Sequence, residues 1–400
     1  MQHSNVRSCV RKYFSCAAIA IFFLLVSEFI ARLDDRLFLG ESFFSSPSFE
    51  GNLKFNDDQS IRGKPFGNFR NCNLNGYGFR GPRIDPIPSS TKARIMVIGA
   101  SEVFGSCDYE NMEFPAQLQS LLGKNGKYEV INASIVGMSL WSTISFWENW
   151  ASRFRPDIVI VYANPLFYLG NDPILRLNEP ISKLDAIPTS AVVTEKPLRF
   201  ESRILFRLHG LFHFPDWINI WRKKKWLADT RDGKSQSWYL PSVPQDRYSR
   251  FREDISRLTD SIRKQNVKVV FVTHAIRTTT TDNLDDRLSL LGMLYFYPKA
   301  SEELLINFNL ETNRMILEYA HEKGFPVIDA AEKLNNHREL FDDLIHLNKE
   351  GAGRMARMLV EHIVPIEIAR LINNEHSSRN ESEINKKSTK VGSNAGVGSN

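Results

Sequence analysis

The chain lacks the usual marks of several large classes. It contains no zinc-finger, P-loop or dinucleotide-binding pattern, and the glycines between Gly99 and Gly105 do not have the spacing of a Rossmann fingerprint. No internal repeat of useful length is visible. There is little net charge: 51 basic against 46 acidic residues leaves +5, and much of the basic character is local. Neither the total nor its distribution argues for a nucleic-acid partner. Only 4 cysteines occur. Cys9 and Cys16 fall in the N-terminal segment, so Cys72 and Cys107 are left as the one possible bridge beyond it. The sequence does not show whether they are close enough to pair. What remains is ordinary globular composition, 42% apolar and 24% charged over 400 residues, enough for one large domain or two smaller ones.

The N-terminus departs from that composition. Phe14 to Val26 is an apolar run preceded by Arg7, Arg11 and Lys12. Basic residues ahead of an apolar segment favour a cytoplasmic N-terminus. The run is short for a spanning helix but extends through Phe29-Ile30-Ala31 if Ser27 and Glu28 lie near the outer interface. Ser27-Glu28-Phe29-Ile30-Ala31 is a poor cleavage site, and Cys16 lies inside the run instead of after it. The expectation is a basic cytoplasmic stub over 1–13 and a retained signal anchor over 14–31. That makes a single-pass inner-membrane protein with everything downstream on the periplasmic or extracytoplasmic side.

Residues 32–93 read as a lead-in and linker, rich in turn formers around Asn73 to Pro82. Beyond them, strands are expected at 94–99, 128–133, 157–163, 267–273 and 325–329. Helices are expected near 111–123, 140–154, 248–265, 302–322 and 349–364. Such alternation predicts an α/β fold: a three-layer α/β/α sandwich on a mostly parallel, about five-stranded, flavodoxin-like sheet. In such a sheet the carboxyl ends of the strands share one edge, where ligands bind.

The first strand, Ile95-Met96-Val97-Ile98, runs through the small residues Gly99 and Ala100 into Ser101. After the second comes Gly137, whose N–H can approach a substrate closely. After the third comes Asn164, before Pro165. Near the end, Asp343 and His346 stand three apart, as on one side of a helical turn. Each has a commonplace reading: a loop serine, a turn glycine, a turn asparagine, a solvated Asp–His pair. Together they supply a nucleophile, a base, an orienting acid and oxyanion donors, which is what acyl transfer requires. Asp342 and His274 compete for the acid and base roles. Asp342 has the wrong offset from His346, and His274 ends a strand, where it lines the pocket or serves the core.

In these blocks the chain resembles the GDSL/SGNH hydrolase superfamily, of the membrane-anchored bacterial type. Gly99-Ala100-Ser101 is similar to its nucleophile block and Asn132 to Gly137 to its glycine block. Asn164 is similar to its asparagine block, and Asp343-Leu344-Ile345-His346 to its Asp-x-x-His block. Gly76-Tyr77-Gly78-Phe79-Arg80-Gly81 is similar to the segment before the first strand in anchored members. The resemblance covers roughly 73–365, with a gap at 171–245. Two departures stand out: Ala100 where the family usually has Asp, and Tyr162-Ala163-Asn164-Pro165 where it usually has Gly-x-Asn-Asp.

The resemblance implies a catalytic domain over 94–365 with an insertion at 171–245. It implies Ser101, Asp343 and His346 as triad, Ser101, Gly137 and Asn164 as oxyanion hole, and no metal or organic cofactor. It also implies a serine esterase or deacetylase acting through an acyl-enzyme on an O-acylated envelope or exported glycan, or on a small ester. An O-acetyltransferase with the same triad and an inactive glycan-binding protein are the alternatives. The insertion carries Trp217, Trp221, Trp226 and the run Arg222 to Lys225, as in a glycan-binding cap, a contact with anionic lipid headgroups, or a solvated helical hairpin. The polar end, 373–400, is expected to be disordered.

Overall fold

The computed structural model describes residues 2–39, 43, 53–56, 61–69, 71–107, 109–123, 126–170, 202–205, 207, 216–363 and 365. The tail expected to be disordered and the first part of the insertion lie outside the described residues.

Helix α1, Gln2–Leu39, comes first, so the basic stub and the apolar run are one continuous helix. Two short antiparallel hairpins follow: β1 (Lys54–Asn56) with β2 (Ile61–Gly63), and β3 (Asn68–Phe69) with β4 (Cys72–Asn73). The main sheet is built from β5 (Ala93–Gly99), β6 (Tyr128–Asn132), β7 (Ile158–Tyr162), β8 (Lys268–Val272) and β9 (Val327–Ile328). All its pairings are parallel, and the order is β6-β5-β7-β8-β9. This is the expected flavodoxin-like arrangement. The chain passes from β5 to one side, then returns to the other, so the switch in strand order lies beside the carboxyl end of β5.

The central strands β5, β7 and β8 read as nearly unbroken apolar runs because helices cover both faces. One face of the sheet, with Met96, Ile98, Val159, Val161 and Phe271, packs against helices α4 (Leu140–Asn149), α6 (Gln245–Arg263) and α8 (Glu302–Lys323). The other, with Ile95, Val97, Ile158, Ile160 and Val270, packs against α3 (Phe114–Leu122), α9 (Ala330–Leu334) and α10 (349–363). Between Gly99 and Phe104 lies α2 (Ser101–Phe104), a single turn. Helix α6 buries Phe251, Ile255, Leu258 and Ile262, the 3.6-residue stripe that its sequence shows. Helix α8 starts where Ser301 accepts from Leu304 N–H and stops at the left-handed Gly324.

Helices α5 (Asp216–Arg231) and α7 (Leu284–Phe296) pack together, with the rings of Trp226 and Tyr295 4.4 Å apart. Trp217 and Trp221, one turn apart on α5, stay 68% and 58% exposed.

The lead-in is packed against the main core. Leu53, Cys72, Leu74, Phe79 and Ile84 are buried in the same cluster as β5 and β7. Cys72 and Cys107 form a disulfide that ties β4 to the loop after α2. Arg80 is buried and donates to the carbonyls of Phe104, Gly105, Ser106 and Tyr109. Its guanidinium also lies 3.3 Å from the Glu113 carboxylate. Burial pulls the Arg80 pKa below its usual value, against the charge of Glu113.

Within α1, the 24-residue stretch Phe14–Leu37 contains an 18-residue window of mean hydropathy 2.3, long and apolar enough to cross a membrane. Its second half is two-faced. Glu28, Arg32 and Asp35 are buried, while Phe29, Ile30, Leu33 and Leu37 face outward. Glu28 accepts from Ser202 Oγ and from the N–H groups of Arg203 and Ile204. Asp35 takes the guanidinium groups of Arg203 and Arg207. The insertion therefore docks on the helix through charge.

Candidate active site

Ser101 sits directly beyond the carboxyl end of β5. The turn needs glycine just before it: a Cβ on Gly99 would lie 2.7 Å from Tyr162 O and collide with Val103. The Ser101 Oγ lies 2.9 Å from His346 Nε2, across 245 positions of sequence. On the far side of the imidazole, Nδ1 is 2.9 and 2.8 Å from the two oxygens of Asp343. A carboxylate only accepts, so Nδ1–H is the donor there. Nε2 is thereby turned to the serine.

Asp343 and His346 do not share a helical turn, as their spacing suggested. They belong to a loop between Phe341 and Leu347, which bridge each other. Asp343 Oδ1 accepts from the N–H groups of Ile345 and His346, at 3.0 and 2.9 Å. Asp342 N–H donates to His346 O, and Arg277 N–H to Leu344 O. One carboxylate thus folds the loop and holds the ring.

Two opposing effects set the charge. Burial disfavours both ions, but each ion favours the other. The result holds Asp343 down to about 2 and pushes His346 up to about 9, with Glu102 and Asp342 adding to the rise. Around neutral pH the pair is a carboxylate and an imidazolium.

Gly137 lies in the turn after β6 with φ of +80°, in the left-handed region. A side chain there would also meet Lys54 Nζ, 2.9 Å from the position of a Cβ. That ammonium donates to Val136 O at 3.0 Å. Lys54 comes from β1, and nothing in the lead-in sequence marked it for this place. Asn164, after β7, is buried and caps the next turn, with Oδ1 accepting from Leu166 N–H at 2.8 Å. Its Nδ2 donates to Glu102.

His274, the competing base, is fully buried behind the site. Its Nδ1 lies 2.6 Å from Asn309 Oδ1, and its Nε2 lies 3.3 Å from Glu102 Oε1. It does not face Ser101 Oγ. Among the described residues no cluster of His, Cys, Asp and Glu could hold a metal ion.

No protein-family model matches the chain, and no curated protein does. Solved structures are similar to it at low identity. An acetyl xylan esterase from Geobacillus stearothermophilus, a variant form, is 13% identical with a TM-score of 0.39, covering 70% of this chain and 97% of its own. A lipolytic protein of the G-D-S-L family from Desulfitobacterium hafniense is 13% identical with a TM-score of 0.37, covering 68% and 99%. A member of the same family from Veillonella parvula is 13% identical with a TM-score of 0.36, covering 67% and 97%.

Proposed function

We propose that the chain is a serine esterase of the SGNH type, removing acyl groups from an O-acylated glycan outside the cytoplasm. The observation that supports it most is the contact of Ser101 Oγ with His346 Nε2 at 2.9 Å, with Asp343 on the other ring nitrogen. In this reading Ser101 Oγ attacks the ester carbonyl and its proton passes to neutral His346. The Ser101 and Gly137 N–H groups and the Asn164 amide receive the oxyanion. Each such donor is worth ~10²–10³ in rate. His346 then returns the proton to the leaving alcohol. A water, deprotonated by the same imidazole, frees the acid from the acyl-serine. Asp343 keeps Nδ1 protonated and balances the imidazolium.

Two features support the glycan and the location. Trp217 and Trp221 present open faces beside Arg222 to Lys225, suited to sugar rings bearing acidic groups. The Cys72–Cys107 disulfide suits an oxidising compartment, reached if α1 spans the inner membrane with its N-terminus inside.

A serine-directed fluorophosphonate should label the full chain in detergent and leave Ser101→Ala unlabelled. No labelling of the wild type, together with no hydrolysis of a short-chain aryl ester, would rule the enzyme out. On an acetylated polysaccharide, the double variant Trp217→Ala, Trp221→Ala should lose rate while keeping that on the aryl ester. Equal loss on both removes the glycan role of α5.

A further inference from the structure

One buried cluster beside the triad has no part in the steps above. Glu102 follows Ser101 in the chain, yet its side chain turns inward and is only 1% exposed. Its Oε1 accepts from Asn164 Nδ2 and faces His274 Nε2, while Oε2 meets no hydrogen-bond donor among the described residues. An ion taken out of water costs several kcal/mol unless it is compensated. An apolar residue would fill this place more cheaply.

The hydrogen bonds show what the acid does. A carboxylate oxygen can only accept, and the Leu166 N–H can only donate. Asn164 must therefore turn Nδ2 to Glu102 and Oδ1 to Leu166. The amide plane is fixed at both edges, and a single N–H is left over.

The proton on His274 follows by the same logic. Asn309 Nδ2 donates to His274 O, which leaves Asn309 Oδ1 to accept from His274 Nδ1–H. Nε2 then faces a carboxylate oxygen at 3.3 Å. Two lone pairs would repel there, so the pair holds a proton between them. Burial opposes the Glu102 charge, but the His274 bond and charge, with the charge of His346, outweigh it and hold its pKa below the usual carboxylate value. The Glu102 charge also reaches Tyr162 and Tyr297; burial and that charge push both phenols up. His346 in turn feels the charges of Asp343, Glu102 and Asp342.

We infer that Glu102 is a positioning residue. It holds the Asn164 amide so that its second N–H is left for the oxyanion, and it adds a negative charge, besides that of Asp343, to the field at His346. His274, braced by Asn309 and Asn313, faces this acid from the buried side and keeps it in place. The inference rests on the esterase reading, and the two can fail separately.

Wild type and Ser101→Ala are compared first, so an inert wild type is recognised before any Glu102 variant is read. With an active wild type, Glu102→Gln keeps an acceptor for Asn164 and removes the charge. Glu102→Asp keeps the charge and draws the acceptor back by one methylene. For Glu102→Gln, the rising limb of the pH–kcat/KM profile should move to lower pH. For Glu102→Asp the limb should stay, while kcat on the aryl ester falls ~10- to 100-fold with KM nearly unchanged. An unmoved limb in the first variant with wild-type kcat in the second overturns the assignment. A double-mutant cycle provides a check that does not need the Gln variant to fold. Glu102→Asp should cost little once Asn164→Ala is present, and additive losses would show that the two residues act separately.

Discussion

Asp343 does two tasks with one side chain, folding the 341–347 loop and holding His346, and its replacement should show both. Asp343→Asn keeps the shape but loses the charge that keeps Nδ1 protonated, and aryl-ester kcat should drop by on the order of 10⁴. The raised His346 pKa makes a second prediction. In the proposed mechanism the base is the neutral imidazole, so kcat/KM should keep rising with pH until about 9, well above an ordinary histidine. Stability should run the other way. A group whose pKa is raised by folding stabilises fully below its unfolded value, ~6.5, and loses that contribution as pH climbs through the folded value. Wild-type melting temperature should therefore fall over this interval, and His346→Gln should show less of the fall. At this scale the sequence was legible where the signal is local: Ser101 after Gly99, the Asp–His spacing, Asn164 at a strand end. Glu102 and Lys54 were not, because their meaning comes from His274, 172 positions away, and Val136, 82 positions away.

Among the elements, β5, β7 and β8 were the plainest to place from sequence because burial on both faces leaves continuous apolar runs. The hairpins β1 to β4 are 2 or 3 residues long, too short for a periodic pattern to develop. Helix α7 begins Leu284-Asp285-Asp286-Arg287, and its buried Asp286 pairs with Arg338, so its apolar stripe starts late. The strap from β4 through Arg80 is the element most open to test. Reducing or mutating the Cys72–Cys107 bridge frees a loop with a sequence separation of 35 and should cost about 2–4 kcal/mol in chemical denaturation. Arg80→Met abandons the carbonyls after α2 and leaves Glu113 buried without its cation. It should lower stability by ~3–5 kcal/mol. Aryl-ester activity should fall with it, since that loop follows Ser101, the proposed nucleophile.

For the molecule as a whole, α1 is the feature on which the proposed location rests. At ~1.5 Å per residue its apolar part, Phe14 to Ala31, is ~27 Å long, close to a hydrocarbon core of ~30 Å. Glu28 and Asp35 on its charged face are matched by Ser202, Arg203 and Arg207, while the Arg207–Asp34 pair stays about half exposed. The full chain should remain with membranes through carbonate and high-salt washes and come free only in detergent. Release by salt alone would make α1 a peripheral contact. The same helix bears on how the protein can be handled. A chain trimmed to its parallel sheet, starting at Ala93, would discard Lys54, Arg80 and half of the disulfide while keeping Ser101, Asp343 and His346. Such a fragment could look complete on paper and be inert in the tube, whereas one begun shortly before Leu53 would carry its own brace into solution.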